Sequence, residues 1–242
     1  MRLLLAGLLS LPLLAQPPAP SATPLVPPLR QINDLIDDYG NLRRYAADNA
    51  KQSGIEVVFM GDSITDSWGR GNFAQSAPFF TGKPYLNRGI SAQTTAQMLL
   101  RFYPDVVAHK PKVVVFLAGT NDIAGNLGPV SMESIENNLA AMADIARANG
   151  IKVVMASVMP VCDYHRPQTA QRPPEKIKEL NEWIRATADK NHYVYLDYYT
   201  PMLDDKGFLK AEITGDGLHP NAAGYAIMAP LADAAIAKAL GK

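Results

Sequence analysis

The amino-acid sequence predicts an α/β fold in which helices cover both faces of a five-stranded parallel sheet. Five short apolar runs, rich in β-branched residues, alternate with longer segments of helical periodicity. The runs are continuously apolar, as strands buried on both faces should be. The chain has 242 residues, 48% of them hydrophobic and 19% charged, so it is long enough to bury the core of one domain.

The five strands follow one another with helical segments between them, which is the order of parallel βαβ units. Each run is short and bounded by polar residues, glycine or proline. The strands are predicted at residues 56–60, 84–86, 113–118, 152–158 and 193–196.

Helices are predicted before, between and after these strands. Residues 30–52 form an amphipathic lead-in helix that is interrupted at Gly40. Segments 133–149 and 175–190 each place their apolar side chains on one face, as crossover helices that pack on a sheet do. A last helix at 222–240 closes the domain. This order of elements resembles a flavodoxin-like three-layer α/β/α sandwich.

The first 15 residues have the composition of a secretory signal, with a basic residue, an apolar run and a small residue in that order. A membrane anchor is the alternative, but Pro12 interrupts the run, which is shorter than the ~20 residues needed to span a bilayer. We therefore expect an exported protein, periplasmic or secreted, without stable membrane insertion. Residues 16–29 are rich in proline and predict an extended tether, which leaves residues 30–242 as the domain that carries the activity.

Charge and cysteine content narrow the classes of ligand. Lysine plus arginine balance aspartate plus glutamate at 23 each, which gives no reason to expect a nucleic acid as partner and favours a small or neutral ligand. Cys162 is the one cysteine of the chain, so neither an intramolecular disulfide nor a cysteine-rich metal site can form.

A serine stands directly after the first predicted strand, in the order Gly61, Asp62, Ser63. In open parallel sheets the ligand site lies beyond the carboxyl ends of the strands, so the Ser63 hydroxyl stands at the ligand end. A serine acts as a nucleophile only if a neighbouring base takes its proton. Without such a base, Ser63 would be a helix cap, which is the common role of serine at this place.

Four histidines could supply that base. His109 and His192 precede strands and therefore lie at the opposite edge of the sheet. His165 and His219 follow strands, but only His219 has a carboxylate, Asp216, three residues earlier. An aspartate bonded to one ring nitrogen fixes the tautomer and stabilises the imidazolium that forms during proton transfer. The alternative is a simple Asp-Gly turn before a helix, with the histidine capping or packing.

Acyl transfer also requires donors that stabilise an oxyanion. The turns after the second and third strands offer the Gly89 N–H and the Asn121 side-chain amide. Taken singly, the first has a simpler explanation as a turn glycine and the second as an Asx turn. Their occurrence beside Ser63 and His219 favours the functional interpretation.

Four short motifs thus stand at strand ends, at residues 61–64, 87–89, 119–122 and 216–220. They read Gly-Asp-Ser-Ile, Asn-Arg-Gly, Gly-Thr-Asn-Asp and Asp-Gly-Leu-His-Pro. From about residue 56 to the last helix the chain resembles the SGNH, or GDSL, hydrolase family, and within it the branch of platelet-activating-factor acetylhydrolases. Isoleucine replaces the leucine of the family name, which should leave the turn intact. The Gly-x-Ser-x-Gly elbow of the other large α/β esterase fold is absent from the sequence.

The resemblance implies a role for each motif residue. Ser63 is the nucleophile, His219 is the base and Asp216 orients it. The backbone N–H groups of Ser63 and Gly89, together with the Asn121 side chain, form the oxyanion hole. These roles agree with the chemistry argued from the residues themselves.

The segment 160–174 after the fourth strand is too long and polar for a simple connector, and we interpret it as one wall of the substrate cleft. The alternative is a solvated surface loop. Six residues are candidates for substrate binding: Tyr164, His165 and Arg166 in this segment, and Asp62, Trp68 and Asn126 near the first and third motifs.

The sequence therefore predicts a serine esterase that acts on short-chain esters of small molecules or glycans, with carbohydrate O-acetyl groups as one candidate, through an acyl-serine intermediate and without metal or cofactor. A periplasmic thioesterase or lysophospholipase is the alternative within enzymes, because a triad is indifferent to the leaving group. Two alternatives belong to other functional classes. One is a glycan-binding module without activity, which needs no triad, and the other is a flavodoxin-like cofactor binder, which needs a phosphate-cradling first loop.

Overall fold

The structure is a computed structural model that describes residues 36–69 and 79–242. The predicted signal and tether, residues 1–15 and 16–29, lie outside the described residues, as does the start of the predicted lead-in helix. The end of that lead-in is described, and its helical turns are separated at Gly40 before a helix resumes.

The described residues contain one sheet, in which all strand pairs are parallel and the strand order is β2-β1-β3-β4-β5. The prediction of a five-stranded parallel sheet is confirmed. The strands are β1 (Val57–Gly61), β2 (Tyr85–Gly89), β3 (Val113–Leu117), β4 (Lys152–Ala156) and β5 (Val194–Leu196).

Eight α-helices lie wholly within these two ranges, on both faces of the sheet. They are α1 (Arg43–Asn49), α2 (Ser63–Asp66), α3 (Thr95–Asp105), α4 (Thr120–Ile123), α5 (Met132–Ala148), α6 (Pro174–Asn191), α7 (Tyr199–Met202) and α8 (Ala222–Leu240). Helices α3, α5 and α6 bury apolar side chains against one face, and α7 and α8 against the other. This is the predicted three-layer sandwich.

Strand β2 is longer than predicted. Its polar residues Asn87 and Arg88 were expected in a turn, yet they pair with Phe59 and Met60 of β1. Arg88 is fully buried because its guanidinium donates to Asp48 and Asn49, at 2.6 Å and 2.8 Å. A buried polar strand residue is tolerated where its hydrogen bonds are satisfied.

Helix α8 is long and apolar enough to cross a membrane by length and composition alone. It instead packs on the sheet, since Tyr225, Met228 and Ala232 are each at most 1% exposed in the core beside β3, β4 and β5. Its apolar composition is thus that of a core helix.

The parallel arrangement brings the carboxyl ends of all five strands to one edge. The first three motifs found in the sequence lie at this edge: the first begins at the last residue of β1, the second is the end of β2, and the third follows β3. The site is therefore built where adjacent strands end.

Candidate active site

Ser63 is the first residue of α2, two positions after β1 ends at Gly61. The helix begins there because the Asp62 side chain accepts the Ile64 N–H at 2.9 Å as its N-cap. The Ser63 side chain is partly exposed, and its own N–H has no acceptor in the described part of the chain. The serine is thus held at a turn that presents both its hydroxyl and its N–H.

The turn at 214–220, between β5 and α8, carries the predicted base and acid. A bridge between Thr214 and Pro220 closes the turn, and the Thr214 hydroxyl donates to the His219 carbonyl at 2.8 Å. The His219 Nε2 lies 2.9 Å from the Ser63 Oγ, and its Nδ1 lies 2.7 Å from the Asp216 Oδ2. The three side chains predicted as a triad therefore form one hydrogen-bonded chain.

The Asp216 carboxylate is held by several donors. Its Oδ1 accepts the backbone N–H groups of Leu218 and His219, at 3.0 Å and 2.8 Å. Burial opposes ionisation, but these bonds and that of the His219 ring outweigh it, so the pKa of Asp216 lies below its ordinary value. The carboxylate is then ionised at neutral pH, as the partner of a developing imidazolium must be.

The Asn121 side chain, on α4, is 3% exposed and fixed on both sides. Its Nδ2 donates to the Gln93 carbonyl at 3.0 Å, and its Oδ1 accepts from the Asn126 Nδ2 at 3.0 Å. The Asn126 amide also donates to the Ala92 carbonyl at 3.4 Å. Because the Asn121 oxygen is taken by a donor, the orientation of the amide is set, and its second N–H remains for another acceptor.

The structure corrects the prediction for Gly89. Its N–H donates to the Asn87 Oδ1 at 2.9 Å, so it is engaged and does not serve an oxyanion. The glycine is required by a close approach, since a Cβ at this position would lie 2.1 Å from the Asp66 nitrogen of α2. The glycine of the Asn-Arg-Gly motif is therefore explained by close packing at the end of β2.

A nearby backbone group that the sequence did not reveal is Ala92, in the turn between β2 and α3. The residue is exposed and has a left-handed φ of +66°, which is uncommon for alanine. Its N–H has no acceptor in the described part of the chain, and its carbonyl is bonded by Asn126. The Ala92 peptide therefore lies beside the amide of Asn121. No sequence motif marks it, because the positive φ is visible only in the backbone.

Asp62 was predicted to bind substrate, and the structure corrects this. The side chain is turned inward to cap α2 and is only 1% exposed, so it cannot reach a substrate outside the protein. Burial raises its pKa to about 6, against the lowering effects of the Ile64 N–H, His219 and Arg172. Its Oδ2 is buried without a hydrogen-bond partner.

Trp68 was also predicted in the cleft wall, and this is wrong. The indole is 2% exposed and stacks between Phe79 and Tyr225, with centroid distances of 4.4 Å and 5.5 Å. The aromatic ring is large and apolar, so it is buried in the core under α8 rather than at the edge of the sheet.

The 160–174 segment packs directly against the turn that carries His219. The Cys162 N–H donates to the Gly217 carbonyl at 2.9 Å, and a Cβ at Gly217 would lie 2.2 Å from the Cys162 carbonyl oxygen. Tyr164 is 44% exposed and donates to Asp204, while the His165 ring lies 2.9 Å from the Ala211 carbonyl. Hydrogen bonds therefore hold the loop against the 214–220 turn and against Asp204 and Ala211.

Substrate contact by Tyr164, His165, Arg166 and Asn126 stays a prediction, and all four side chains are exposed. Two further residues of the loop contact the site: Gln168 donates to the Asp216 carbonyl and Arg172 to the Thr120 hydroxyl. The sequence marked Arg172 only as one of the polar residues of this segment, and it did not mark Gln168. Among residues 36–69 and 79–242, no group of three or more His, Cys, Asp and Glu side chains could hold a metal ion.

A parallel sheet covered on both faces, with a hydrogen-bonded serine, histidine and aspartate at its carboxyl edge, is the arrangement of an α/β serine hydrolase. The model of the GDSL-like lipase/acylhydrolase family matches residues 59–227, and the chain belongs to this family. The protein is accordingly a carboxylic ester hydrolase.

The chain is similar to several known proteins. A crystal structure of a GDSL-like lipase from Bacteroides thetaiotaomicron is 40% identical, covers 83% of this chain and 99% of its own, and has a TM-score of 0.76. The uncharacterized lipoprotein YqeF of Bacillus subtilis is 30% identical over 65% of this chain and 73% of its own length. An acetylxylan esterase of Geobacillus stearothermophilus is 22% identical over 73% of this chain and 91% of its own length.

Proposed function

We propose that this protein hydrolyses short-chain carboxylic esters through an acyl-serine intermediate on Ser63. The observation that carries the proposal is the continuous hydrogen-bonded chain, 2.9 Å from the Ser63 Oγ to the His219 Nε2 and 2.7 Å from the His219 Nδ1 to the Asp216 Oδ2. These lengths are within the range over which a general base takes a proton.

The reaction proceeds in two halves. The Ser63 Oγ attacks the ester carbonyl carbon as its proton passes to the His219 Nε2, and the tetrahedral intermediate then expels the alcohol, which takes that proton. Water repeats the sequence on the acyl-serine ester, giving its proton to His219, and the acid is released as the serine is re-protonated. Asp216 stabilises the imidazolium in both halves, since its carboxylate accepts from the Nδ1–H.

Three donors would hold the oxyanion in both halves. The Ser63 N–H and the second N–H of the Asn121 amide stay as predicted from the sequence. The Ala92 N–H takes the place predicted for Gly89, because the Gly89 N–H is bonded to Asn87 and the Ala92 peptide lies beside Asn121. Removing one such donor costs about a hundred- to a thousandfold in turnover.

Carbohydrate O-acetyl groups are the proposed natural substrates. The exposed side chains beside the His219 turn are polar or aromatic, namely Tyr164, His165 and Arg166, and such groups suit a hydrated leaving group. One relative is an acetylxylan esterase, and another is a lipoprotein, which supports an exported protein acting on an extracytoplasmic glycan.

The decisive test compares the wild type with Ser63→Ala on p-nitrophenyl acetate and on acetylated xylan. The expected result is loss of both activities and of labelling by a fluorophosphonate. Ser67→Ala is the matched control, because Ser67 ends the same helical turn and has no side-chain bond to His219. Retained turnover in Ser63→Ala would overturn the proposed nucleophile.

A longer-chain lysophospholipase or thioesterase is the second candidate. Two apolar side chains that follow Asn126, Leu127 and Val130, are 37% and 49% exposed and could contact an acyl chain. A series of p-nitrophenyl esters from acetate to palmitate separates the two. A kcat/KM that falls steadily with chain length supports the acetylesterase, and a maximum at eight carbons or longer supports the alternative.

A further inference from the structure

Arg172 is a buried cation that the reaction described above does not use. It lies at the end of the 160–174 loop, just before α6, and is 6% exposed. Its Nε donates to the Thr120 Oγ1 at 3.2 Å, and its Nη1 donates to the Gln168 Oε1 at 3.0 Å. The guanidinium therefore spans two different segments of the site.

Both of these partners lead directly to functional groups. Thr120 is the first residue of α4 and immediately precedes Asn121. Gln168 donates through its Nε2 to the Asp216 carbonyl at 3.1 Å. A hydrogen-bonded link thus runs from the helix that carries the amide donor, through Arg172 and Gln168, to the backbone of the residue that holds the His219 ring.

The charge of Arg172 also faces the site. Burial lowers the pKa of the guanidinium, while the negative charges of Asp62 and Asp216 raise it. Neither carboxylate is in a direct ion pair with it among the described residues, so the guanidinium acts on them through its charge and not through a hydrogen bond. Arg172 and Asp62 are both buried, where screening by water is weak. Asp62 has a buried oxygen without a hydrogen-bond partner, which leaves its ionised form dependent on nearby cations.

We propose that Arg172 is a positioning residue of this esterase: its guanidinium ties Thr120 to Gln168, which holds the Asp216 backbone, and it places a positive charge near the carboxylates of Asp62 and Asp216. This inference rests on the proposed function of Ser63, His219 and Asp216. It assigns to Arg172 no contact with the substrate, so its effect should fall on kcat and on the pH profile rather than on KM.

The pH dependence follows from the groups around this cation. Asp62, on the β1–α2 turn, Asp122, on α4, and Asp216 and His219, on the 214–220 turn, are the titratable groups of the cluster. Removing the cation makes protonation of the carboxylates that face it, Asp62 and Asp216, easier. Because turnover requires an ionised Asp216, the acid limb of the rate profile should move to higher pH.

Four variants separate the link from the charge. In Arg172→Gln we expect kcat for p-nitrophenyl acetate to fall about tenfold to a hundredfold, with KM within about threefold, and the acid limb to rise by about half a pH unit or more. Arg172→Lys should restore the position of the limb but only part of kcat, because an ammonium cannot bond two partners as a planar guanidinium does. Gln168→Ala should lower kcat without moving the limb. Arg147→Gln removes an exposed arginine of α5 that pairs with Asp144 outside the site, so it is the control and should match the wild type.

Two outcomes would overturn the inference while leaving the esterase mechanism intact. A higher KM with unchanged kcat in Arg172→Gln would show a substrate contact instead. A lower kcat with an unmoved acid limb, equal in the glutamine and lysine variants and matched by a lower folded fraction, would show a structural role only. Failure of the proposed function itself is distinguishable, since it appears as an inactive wild type or an active Ser63→Ala.

Discussion

The substitution Asp216→Asn tests the triad through the hydrogen bonds that surround one carboxylate. In the wild type, the Oδ1 accepts two backbone N–H groups, from Leu218 at 3.0 Å and His219 at 2.8 Å, and the Oδ2 faces the His219 Nδ1 at 2.7 Å. An asparagine amide has one oxygen and one NH₂ group. The two backbone donors fix the oxygen at the Oδ1 position, so the NH₂ group must face the histidine.

This reversal changes the tautomer of the base. Because the asparagine NH₂ group is a donor, the His219 Nδ1 must become an acceptor and the ring proton moves to the Nε2. The Nε2 can then no longer take the proton of Ser63. A triad histidine held in the wrong tautomer loses about 10⁴-fold in kcat, which corresponds to about 5 kcal/mol of transition-state stabilisation. The fold should persist, because the amide oxygen keeps both backbone bonds of the 214–220 turn.

Steady-state hydrolysis of p-nitrophenyl acetate measures the effect, and far-ultraviolet circular dichroism checks the fold. Asp197→Asn is the matched control, because that carboxylate also accepts a backbone N–H, from Thr200, but lies away from His219. A loss below about tenfold in Asp216→Asn, with Asp197→Asn unchanged, would refute the assignment of Asp216 as the group that sets the tautomer.

Three further predictions follow from neighbouring contacts. Gly89→Ala places a Cβ 2.1 Å from the Asp66 backbone nitrogen and should lower the free energy of unfolding, measured with denaturant, by about 3 kcal/mol. The control Ala92→Gly, at φ +66°, should change it by less than about 1 kcal/mol. Equal stabilities of the two variants would contradict the close approach. Asn126→Ala removes the donor to the Asn121 oxygen and should lower kcat about tenfold at unchanged KM, while a purely raised KM would indicate the substrate contact predicted from the sequence. The Asp62 pKa of about 6 lies above its unfolded value, so ionisation of Asp62 destabilises the fold at high pH, and this destabilisation is lost as pH falls through 6. Relative to Asp62→Asn, the free energy of unfolding of the wild type should therefore increase by about 2 kcal/mol between pH 7.5 and 4.5. A difference that stays constant with pH would exclude the raised pKa.

The sequence predicted the sheet and helices α5, α6 and α8 well because buried parallel strands are continuous apolar runs and these helices are long and apolar on the side that packs on the sheet, whereas α3 was not predicted. Four strands agree with the structure within two residues at each end. Strand β2 was cut short at Leu86 because Asn87 and Arg88 are polar, and only the tertiary structure supplies the partners, Asp48 and Asn49, that let Arg88 be buried.

The site was predictable to the extent that its chemistry is carried by residue type and order. Ser63, Asp216, His219 and Asn121 could be chosen because each follows a strand and has a side chain suited to acyl transfer. Asp62 and Trp68 were misplaced because closeness along the chain was taken for exposure. The acid turns inward to cap α2, and the indole enters the core.

By itself the sequence determined the order of strands along the chain, and it predicted the edge of the sheet that holds the site and the side chains proposed to carry the reaction, since these depend on hydrophobic pattern and residue chemistry. Only the tertiary structure decided which backbone N–H groups are engaged and which are not. It also brought Gln168 into hydrogen-bond contact with the Asp216 carbonyl, and Arg172 into contact with Gln168. Such contacts join residues far apart in the chain, and their hydrogen bonds depend on backbone angles and burial that no local pattern specifies.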